Sequence, residues 1–468
     1  MTLTYQRKRL ADFVAGARLS RQLAERERWP RERLGRFQQQ RLDELVGHAI
    51  HRSAFYRERI ARPTGPVELG RLPTLDKTTM MERFDELVTD PRLRRDELLA
   101  HVEALTGDAL QLGCYRAMTT SGSSGRKGLF VYDRPAWRAL IAQFLRYNAM
   151  VGIGPRLPRR LRVAALGGAT ASHMSRRVAQ TVDVGLHRVL SLPVTLPLTQ
   201  LKQELERFQP QFINVFPSVA VLLAEEQLAG RLRIGPEIIS TSSEPRTPEM
   251  SARIQEAFGV RPFDLYATTE GLWGAECEHH TGIHLFEDMT IVENVDQEGR
   301  PVPDGQPGAR LLVTSLFNRT QPLLRFEVAD AVTLDPDPCP CGRTLRRIRS
   351  IDGRSDDVLD LPGTGAATIS VHPLQFAVVA RDRDVVEFQV VQEGPRLRVL
   401  VVARGEAPTL ERRLRGAVEQ RLRDLGVAEP AINVERRTAL ERAPSGKLQI
   451  VVADHSARRT AEPAHQVR

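Results

Sequence analysis

The 468-residue chain is 41% hydrophobic and 27% charged with a formal net charge of +9, an ordinary globular composition long enough for more than one domain. Four cysteines in this length build no disulfide framework, and the polar start MTLTYQRKRLADF holds no apolar signal segment, so a cytoplasmic protein is expected. The positive charge is interleaved with acidic residues, as over Arg26 to Arg36, which reads as a solvated helix face. No zinc-finger, helix-turn-helix or aromatic RNA-binding pattern accompanies it, which argues against nucleic acid as a partner. The most apolar stretch, FINVFPSVAVLLAEE from Phe212, is broken by Asn214, Pro217 and Ser218 and falls short of the ~20 residues a membrane span needs.

Taken in order, residues 20 to 60 place Leu34, Phe37, Leu42, Leu45 and Val46 at helical spacing among charges, which predicts amphipathic helices. Next stands TTSGSSGRKG, Thr119 to Gly128. Small and hydroxyl-bearing residues followed by Arg126 and Lys127 can bring backbone N–H groups and charge close to a phosphate, or can form a plain surface loop. The nucleoside-triphosphate P-loop template fails here, because Gly125 is followed by Arg-Lys-Gly and Thr120 stands five places before it.

From Leu161 short apolar runs alternate with helical ones: LRVAALGG, a helix from Ser175 to Val184, HRVLSLPV, a helix, then QFINVFP. That alternation predicts βαβ units and a parallel sheet. EIISTSSEP and RPFDLYATTEG continue it, each an apolar strand ending in small polar residues. In open α/β sheets ligands bind beyond the carboxyl ends of strands, so both point toward one crevice. After IDGRSDD, Ile351 to Asp357, the segments VVEFQVVQEG, RLRVLVVARG, a helix near Thr409 to Leu425, and AINVERR read as a small β-β-α-β unit. The expected organisation is an α/β fold with a large N-terminal domain of parallel and mixed sheets, residues 1–355, carrying a helical cap over 1–70. A small α+β C-terminal domain follows over 356–456, and 457–468 read as a disordered tail.

The ordered set TTSGSSGRKG, STSSEPRTPE, DLYATTEG, RFEVAD, IDGRSDD and RAPSGKLQ resembles the adenylate-forming superfamily of acyl-CoA synthetases. ECEHHTGIHLFED, PVPDGQPGARLLVTSL, CPCGRTLRRI and GRSDD are similar, in order, to the phenylacetate–CoA ligase family, and the resemblance runs from about Leu72 to Lys447. It implies a two-step ligase. A carboxylate attacks the α-phosphate of ATP to give an acyl-adenylate and pyrophosphate, and a nucleophile, usually the thiol of coenzyme A, then displaces AMP.

By matching positions, Ser121, Gly122, Ser123, Ser124, Gly125, Arg126 and Lys127 would cradle the β- and γ-phosphates. Ser243, Glu244 and Pro245 would lie against adenine. Tyr266, Ala267 and Thr268 would line the nucleotide, Thr269 would bond the α-phosphate and Glu270 would hold Mg²⁺. Asp330 would bind the ribose. Lys447 would bridge carboxylate and α-phosphate oxygens as charge develops. Arg354 and Asp356 would mark the hinge about which the small domain turns, carrying Lys447 away between the two steps.

Cys339 and Cys341, with Cys277 and one of His279, His280 or His284, could make a closed tetrahedral structural zinc site, or could be free buried thiols. His284 is favoured because GIHLFED is similar to the family segment whose histidine follows a glycine.

Two departures stand against the full pattern. VLDLPGTGAATIS, Val358 to Ser370, lacks the arginine expected in the loop that shapes the pantetheine tunnel, so a carrier protein, an amine or another nucleophile remains an alternative acceptor to coenzyme A. LGGATASHM, Leu166 to Met174, lacks aromatic residues, which weakens phenylacetate itself as the acid, while His173 could face the acyl site. A catalytically silent nucleotide-binding protein is the reading from another class, and a homodimer would fit the resemblance.

Overall fold

The computed structural model describes residues 3–454, apart from 106, 121–126, 157, 169–172, 355–356, 366 and 444. The chain opens with helices α1 (Leu3–Arg26), α2 (Arg31–Arg52) and α3 (Ala54–Arg59), then α4 (Lys77–Glu82), α5 (Phe84–Leu87) and α6 (Arg95–Glu103). In α2, Leu34, Leu42, Leu45, Val46 and Ala49 recur at helical spacing and are buried, and the Ser53 side chain caps α3 by accepting from Tyr56 N–H.

The solvated-face reading of Arg26 to Arg36 holds for Arg28, Arg31, Glu32, Arg33 and Arg36, which are exposed, but not for Glu27. Glu27 is buried and pairs with Arg343 at 2.7 Å, and Arg31 pairs with the buried Glu287 at 2.5 Å. These carboxylates find their cations only in the folded chain, so spacing within α1 and α2 could not show them.

Strands β1 (Arg116–Thr119) and β2 (Leu129–Tyr132) form an antiparallel pair bracketing the Gly/Ser loop, with Thr119 opposite Leu129. The Gly128 N–H donates to Thr120 Oγ1 at 2.9 Å and closes the hairpin neck. Helix α7 (Arg134–Met150) follows, capped by Asp133, which accepts from Ala136 N–H.

The alternating segment builds β3 (Arg162–Gly167), α8 (Met174–Val182), β4 (Arg188–Pro193), α9 (Leu198–Phe208), β5 (Phe212–Val215), α10 (Pro217–Leu228), β6 (Ile238–Ser242), α11 (Pro248–Phe258) and β7 (Phe263–Ala267). These five strands are parallel, as the βαβ alternation predicts. Beyond them come β8 (Trp273–Glu276), β9 (Ile283–Leu285), β10 (Thr290–Val295), β11 (Arg310–Ser315), β12 (Phe326–Val328), β13 (Asp330–Leu334) and β14 (Arg347–Arg354). Of these, β8, β9, β14 and β13 extend the sheet antiparallel, giving the nine-stranded order β13-β14-β9-β8-β7-β6-β5-β3-β4. One face buries Ile213, Val215 and Ile239 with residues of α9, α10 and α11; the other packs on Trp137, Leu140 and Tyr147 of α7.

The last residues form the hairpin β15 (Leu359–Pro362) and β16 (Thr368–Val371), a short α12 (Ala377–Ala380), then β17 (Val385–Glu393), β18 (Arg396–Ala403), α13 (Leu410–Asp424), β19 (Ala431–Arg436) and β20 (Val451–Val452). The four strands order as β19-β18-β17-β20. Leu410, Leu414, Val418 and Leu422 give α13 one apolar stripe, buried in a cluster separate from the main sheet. This lobe docks on the large one through Arg404, whose Nε lies 2.7 Å from Glu225 of α10.

Candidate active site

Two parallel strands, β6 and β7, deliver polar residues at their carboxyl ends. After β6 the chain turns at Ser243, held at φ +73°, into Glu244 and Pro245. After β7 come Thr268, Thr269, Glu270 and Gly271. There the Gly271 N–H donates to Thr268 O at 3.2 Å and Thr268 N–H to Leu272 O at 2.9 Å, a tight turn that lifts Thr269 and Glu270 off the strand end. Gly271 sits at φ +97°, and a Cβ there would stand 2.8 Å from Phe317 Cζ. Tyr132 Oη donates to Thr269 O at 2.6 Å and anchors the same turn from below.

Tyr266 Oη donates to Asp330 Oδ2 at 2.5 Å. Asp330 opens β13 directly opposite Arg354, the last residue of β14, whose Nε lies 3.5 Å from Asp330 Oδ1. Antiparallel pairing thus converts a sequence separation of two dozen residues into one polar cluster.

Lys447 reaches this cluster from the small lobe. Its loop is a turn in which Gly446 N–H donates to Ala443 O at 2.7 Å and Ala443 N–H to Lys447 O at 3.0 Å. Gly446 adopts φ +83°, and a Cβ there would fall 2.2 Å from Val194 Cγ2, so the loop presses directly on the chain leaving β4. Two further contacts fix it. Leu448 N–H donates to Glu244 Oε1 at 2.7 Å, while Glu244 Oε2 accepts from Ser218 N–H at the start of α10, 3.1 Å away. Arg442 Nη1 donates to Ser218 Oγ at 2.7 Å and Arg442 also pairs with Glu387 of β17.

Lys447 is half-buried and has no carboxylate within 4.0 Å among the described residues. Burial disfavours its charged form and lowers its pKa; the fields of Glu244, Asp330 and Glu270 oppose that shift, and Arg354 adds to it. Burial likewise pushes the Glu244 carboxyl up, against its two backbone donors and Arg442. Burial first, and then the nearby Lys447, lower the pKa of His173 at the start of α8. A desolvated cation ringed by carboxylates at longer range is arranged to receive an anion with oxygens of its own.

The structure therefore brings Ser243, Glu244, Pro245, Tyr266, Ala267, Thr268, Thr269, Glu270, Asp330, Arg354 and Lys447 to one crevice at the strand ends. Ser121 to Arg126 and Asp356 lie outside the described residues, and Lys127, just after them, is exposed. Sequence reasoning missed Tyr132, Ser218 and Arg442, which position this site from other elements; nothing in their local sequence marks them.

A second cluster gathers the Sγ atoms of Cys277, Cys339 and Cys341 with His284, their ligand atoms all within 4.8 Å of one another and buried. Cys277 Sγ and Cys339 Sγ are 3.7 Å apart, and Cys341 Sγ is 3.5 Å from His284 Nε2. A tetrahedral ion with Zn–S of about 2.3 Å and Zn–N of about 2.0–2.1 Å requires edges of about 3.8 and 3.6 Å, so the spacing fits such an ion. His284 Nδ1 lies 3.3 Å from Leu345 O, which leaves Nε2 aimed at the thiols. Burial takes the His284 pKa down to about 4, the neutral form a ligand needs. His280 instead stacks on Phe263 with ring centroids 4.4 Å apart, and His279 is exposed.

No protein-family model matches the chain. The phenylacetate–coenzyme A ligase of Thermus thermophilus is 28% identical over 380 residues, which cover 76% of this chain and 77% of that one. The crystal structure of 2-hydroxyisobutyryl-CoA ligase in the postadenylation state, in complex with R3-HIB-AMP, superposes with a TM-score of 0.73 at 23% identity, covering 93% of this chain and 92% of that one. The same ligase in the thioesterification state, with 2-HIB-AMP and CoA, gives 0.57 at 21% identity over 93% of both chains.

The fold is that of 2-hydroxyisobutyryl-CoA ligase, and in sequence the chain is similar to the phenylacetate–coenzyme A ligases.

Proposed function

We propose that this protein activates a small carboxylic acid with ATP as the acyl-adenylate and then transfers the acyl group to coenzyme A. It is an ATP-dependent acid–thiol ligase. The observation that carries the reading is Lys447, a half-buried cation with no carboxylate within 4.0 Å among the described residues, held at the carboxyl ends of the parallel strands by the Leu448–Glu244 contact after β6. In the first half-reaction a carboxylate oxygen attacks the α-phosphorus of ATP, the bond to the β-phosphate oxygen breaks, and pyrophosphate leaves with the electron pair. Lys447 meets the negative charge that builds on the α-phosphate and the attacking carboxylate, and Thr269 supports the α-phosphate from the opposite side. Tyr266 and Asp330 hold the nucleoside, with Ser243, Glu244 and Pro245 beside the adenine. Lys127, with residues 121–126, which lie outside the described ones, would cradle the departing phosphates.

Glu270 is the residue that would hold Mg²⁺: its carboxylate stands at the strand end with no hydrogen-bond partner among the described residues. That ion would offset phosphate charge. The second half-reaction requires Lys447 to leave, and a turn of the small lobe about Arg354 and Asp356, near a boundary at residue 356, accomplishes it. The Cys277, His284, Cys339 and Cys341 set holds a structural zinc, since four protein ligands close the coordination sphere. We place the protein in the cytoplasm, as none of its four cysteines forms a disulfide.

The second reading, transfer of the acyl group to an amine or a carrier protein, rests on the missing arginine between Val358 and Ser370, a span that folds as the β15–β16 hairpin. Acid-dependent AMP release measured with and without coenzyme A separates the two. Release that requires the thiol, with formation of an acyl-CoA, supports the first; release that requires an amine or carrier protein replaces it with the second.

A further inference from the structure

On the face of the sheet roofed by α7, Val163, Phe212 and Ile238 are apolar, but one pleat further toward the carboxyl ends of their strands the residues on that face turn small or polar. Ala165, Asn214 and Ser240 are direct cross-strand neighbours on β3, β5 and β6. Ser240 and Tyr147 of α7 are fully buried, but Ala165 and Asn214 retain access, and half-buried residues beneath a helix mark a hollow between helix and sheet. Phe144, half-buried on α7, stands edge-on to Trp273 at 6.4 Å and 6.3 Å from Tyr147, forming an aromatic wall.

The mouth of this hollow lies under the Lys447 loop. Gly167 ends β3 two residues beyond Ala165, and a Cβ on the next residue, Gly168, would stand 3.4 Å from Ser445 O and 3.2 Å from His173 Cδ2. Asn214 therefore sits two to three residues below the level of Lys447, about 7–10 Å at ~3.3 Å per residue. That depth suits one aromatic ring with a carboxylate at the top and a substituent at the bottom.

The bottom is polar. Asn214 Nδ2 donates to Ser240 Oγ at 3.2 Å, and Tyr147 Oη hydrogen-bonds the same oxygen. This leaves Asn214 Oδ1 and the second Nδ2 proton without a partner among the described residues, an acceptor and a donor presented side by side by an amide whose orientation is fixed. An unsubstituted ring would leave both unsatisfied.

We propose that Asn214 reads a hydroxyl or amino substituent on a small aryl acid, with Ser240 and Tyr147 as the residues that position its amide. The proposal rests on the adenylation reading above and names its substrate class. The reader is sharper than an apolar pocket could be, because a site built to hydrogen-bond a substituent rejects the analogue lacking it far more strongly than shape alone does.

Acid-dependent ATP–pyrophosphate exchange, run with benzoate and phenylacetate and their hydroxy and amino derivatives, tests it. Wild type is expected to favour a substituted acid at least ~10-fold in kcat/KM, and Asn214→Leu to erase that preference by losing the substituted acid and keeping the plain one. Asn214→Asp, nearly isosteric and an acceptor only, is expected to favour amino over hydroxyl derivatives, which guards against a misfolded leucine variant. A wild-type preference for the plain acid, or an unchanged preference in both variants, overturns the proposal while leaving adenylation standing. Exchange with none of these acids but with a non-aromatic acid overturns the proposal alone; exchange with no aryl or aliphatic acid, from protein that binds ATP, overturns both.

Discussion

The Glu244 carboxylate accepts one hydrogen bond from Ser218 of the large lobe and one from the backbone of Leu448, the residue after Lys447 in the small lobe. A single side chain at the end of β6 thus docks the loop that carries the proposed catalytic lysine. Glu244→Ala removes both acceptors and leaves two N–H groups unsatisfied where the lobes meet. Adenylation is expected to fall about 10- to 100-fold, consistent with losing ~1–3 kcal/mol of docking. Conversion of a supplied acyl-adenylate to thioester, which needs the loop gone, is expected to be spared; comparing the two half-reactions checks this.

The pH dependence follows from the Lys447 environment. Burial lowers its pKa below the ordinary 10.5, and Glu244 is the foremost charge opposing that shift. Adenylation needs the ammonium, so its alkaline limb is expected to fall below pH 10.5. Glu244→Gln removes a negative charge that, at alkaline pH, holds the proton on, so the limb moves to still lower pH. The stability sign is fixed as well. An ammonium with a lowered folded pKa costs stability in full below that pKa, and the cost fades as pH rises through it toward the unfolded value. A pH–rate profile of wild type and variant reads the shift; an unmoved limb would contradict the assignment.

Gly446→Ala is expected to lower adenylation by about tenfold without unfolding the protein. The positive φ and the 2.2 Å approach of a new Cβ to Val194 Cγ2 strain the docked loop alone. Thermal unfolding and ATP–pyrophosphate exchange measured together separate a local effect from a global one.

The zinc assignment predicts about one zinc per chain by metal analysis of purified protein. The double variant Cys339→Ser, Cys341→Ser is expected to lose it and about 3 kcal/mol or more of stability, lowering Tm by ~5 °C or more. The effect reaches the N-terminal helices: Arg28 donates to Cys341 O at 2.8 Å and Thr344 N–H to Glu27 O at 2.9 Å, so α1 and α2 are clamped to the cysteine loop. Hydrogen exchange over residues 20–35 is expected to accelerate in the variant. Metal-free, equally stable protein would contradict the assignment.

The parallel half of the sheet was legible because each of β3, β4, β5 and β6 is a short run with apolar residues followed by a helix. β8, β9 and β13 are three to five residues long, and their antiparallel addition depends on partners far away in sequence. Lys447, Glu270, Asp330 and Tyr266 stood out through the order of their motifs. Tyr132, Ser218, Arg442 and Asn214 did not, since each acts through a contact that exists only once two elements have packed. Buried Asp12 shows the same limit: on α1 it looks like a surface charge, yet it is 1% exposed and lies 2.8 Å from both Arg134 and Arg138 of α7.

Acid-dependent pyrophosphate release from ATP, compared between wild type and Lys447→Ala with ATP binding measured alongside, tests the central claim most directly. The account predicts release that requires a carboxylic acid and drops about 10²- to 10³-fold or more in the variant, with ATP still bound and the fold intact. Equal release by the two proteins, or release independent of any acid, would contradict it.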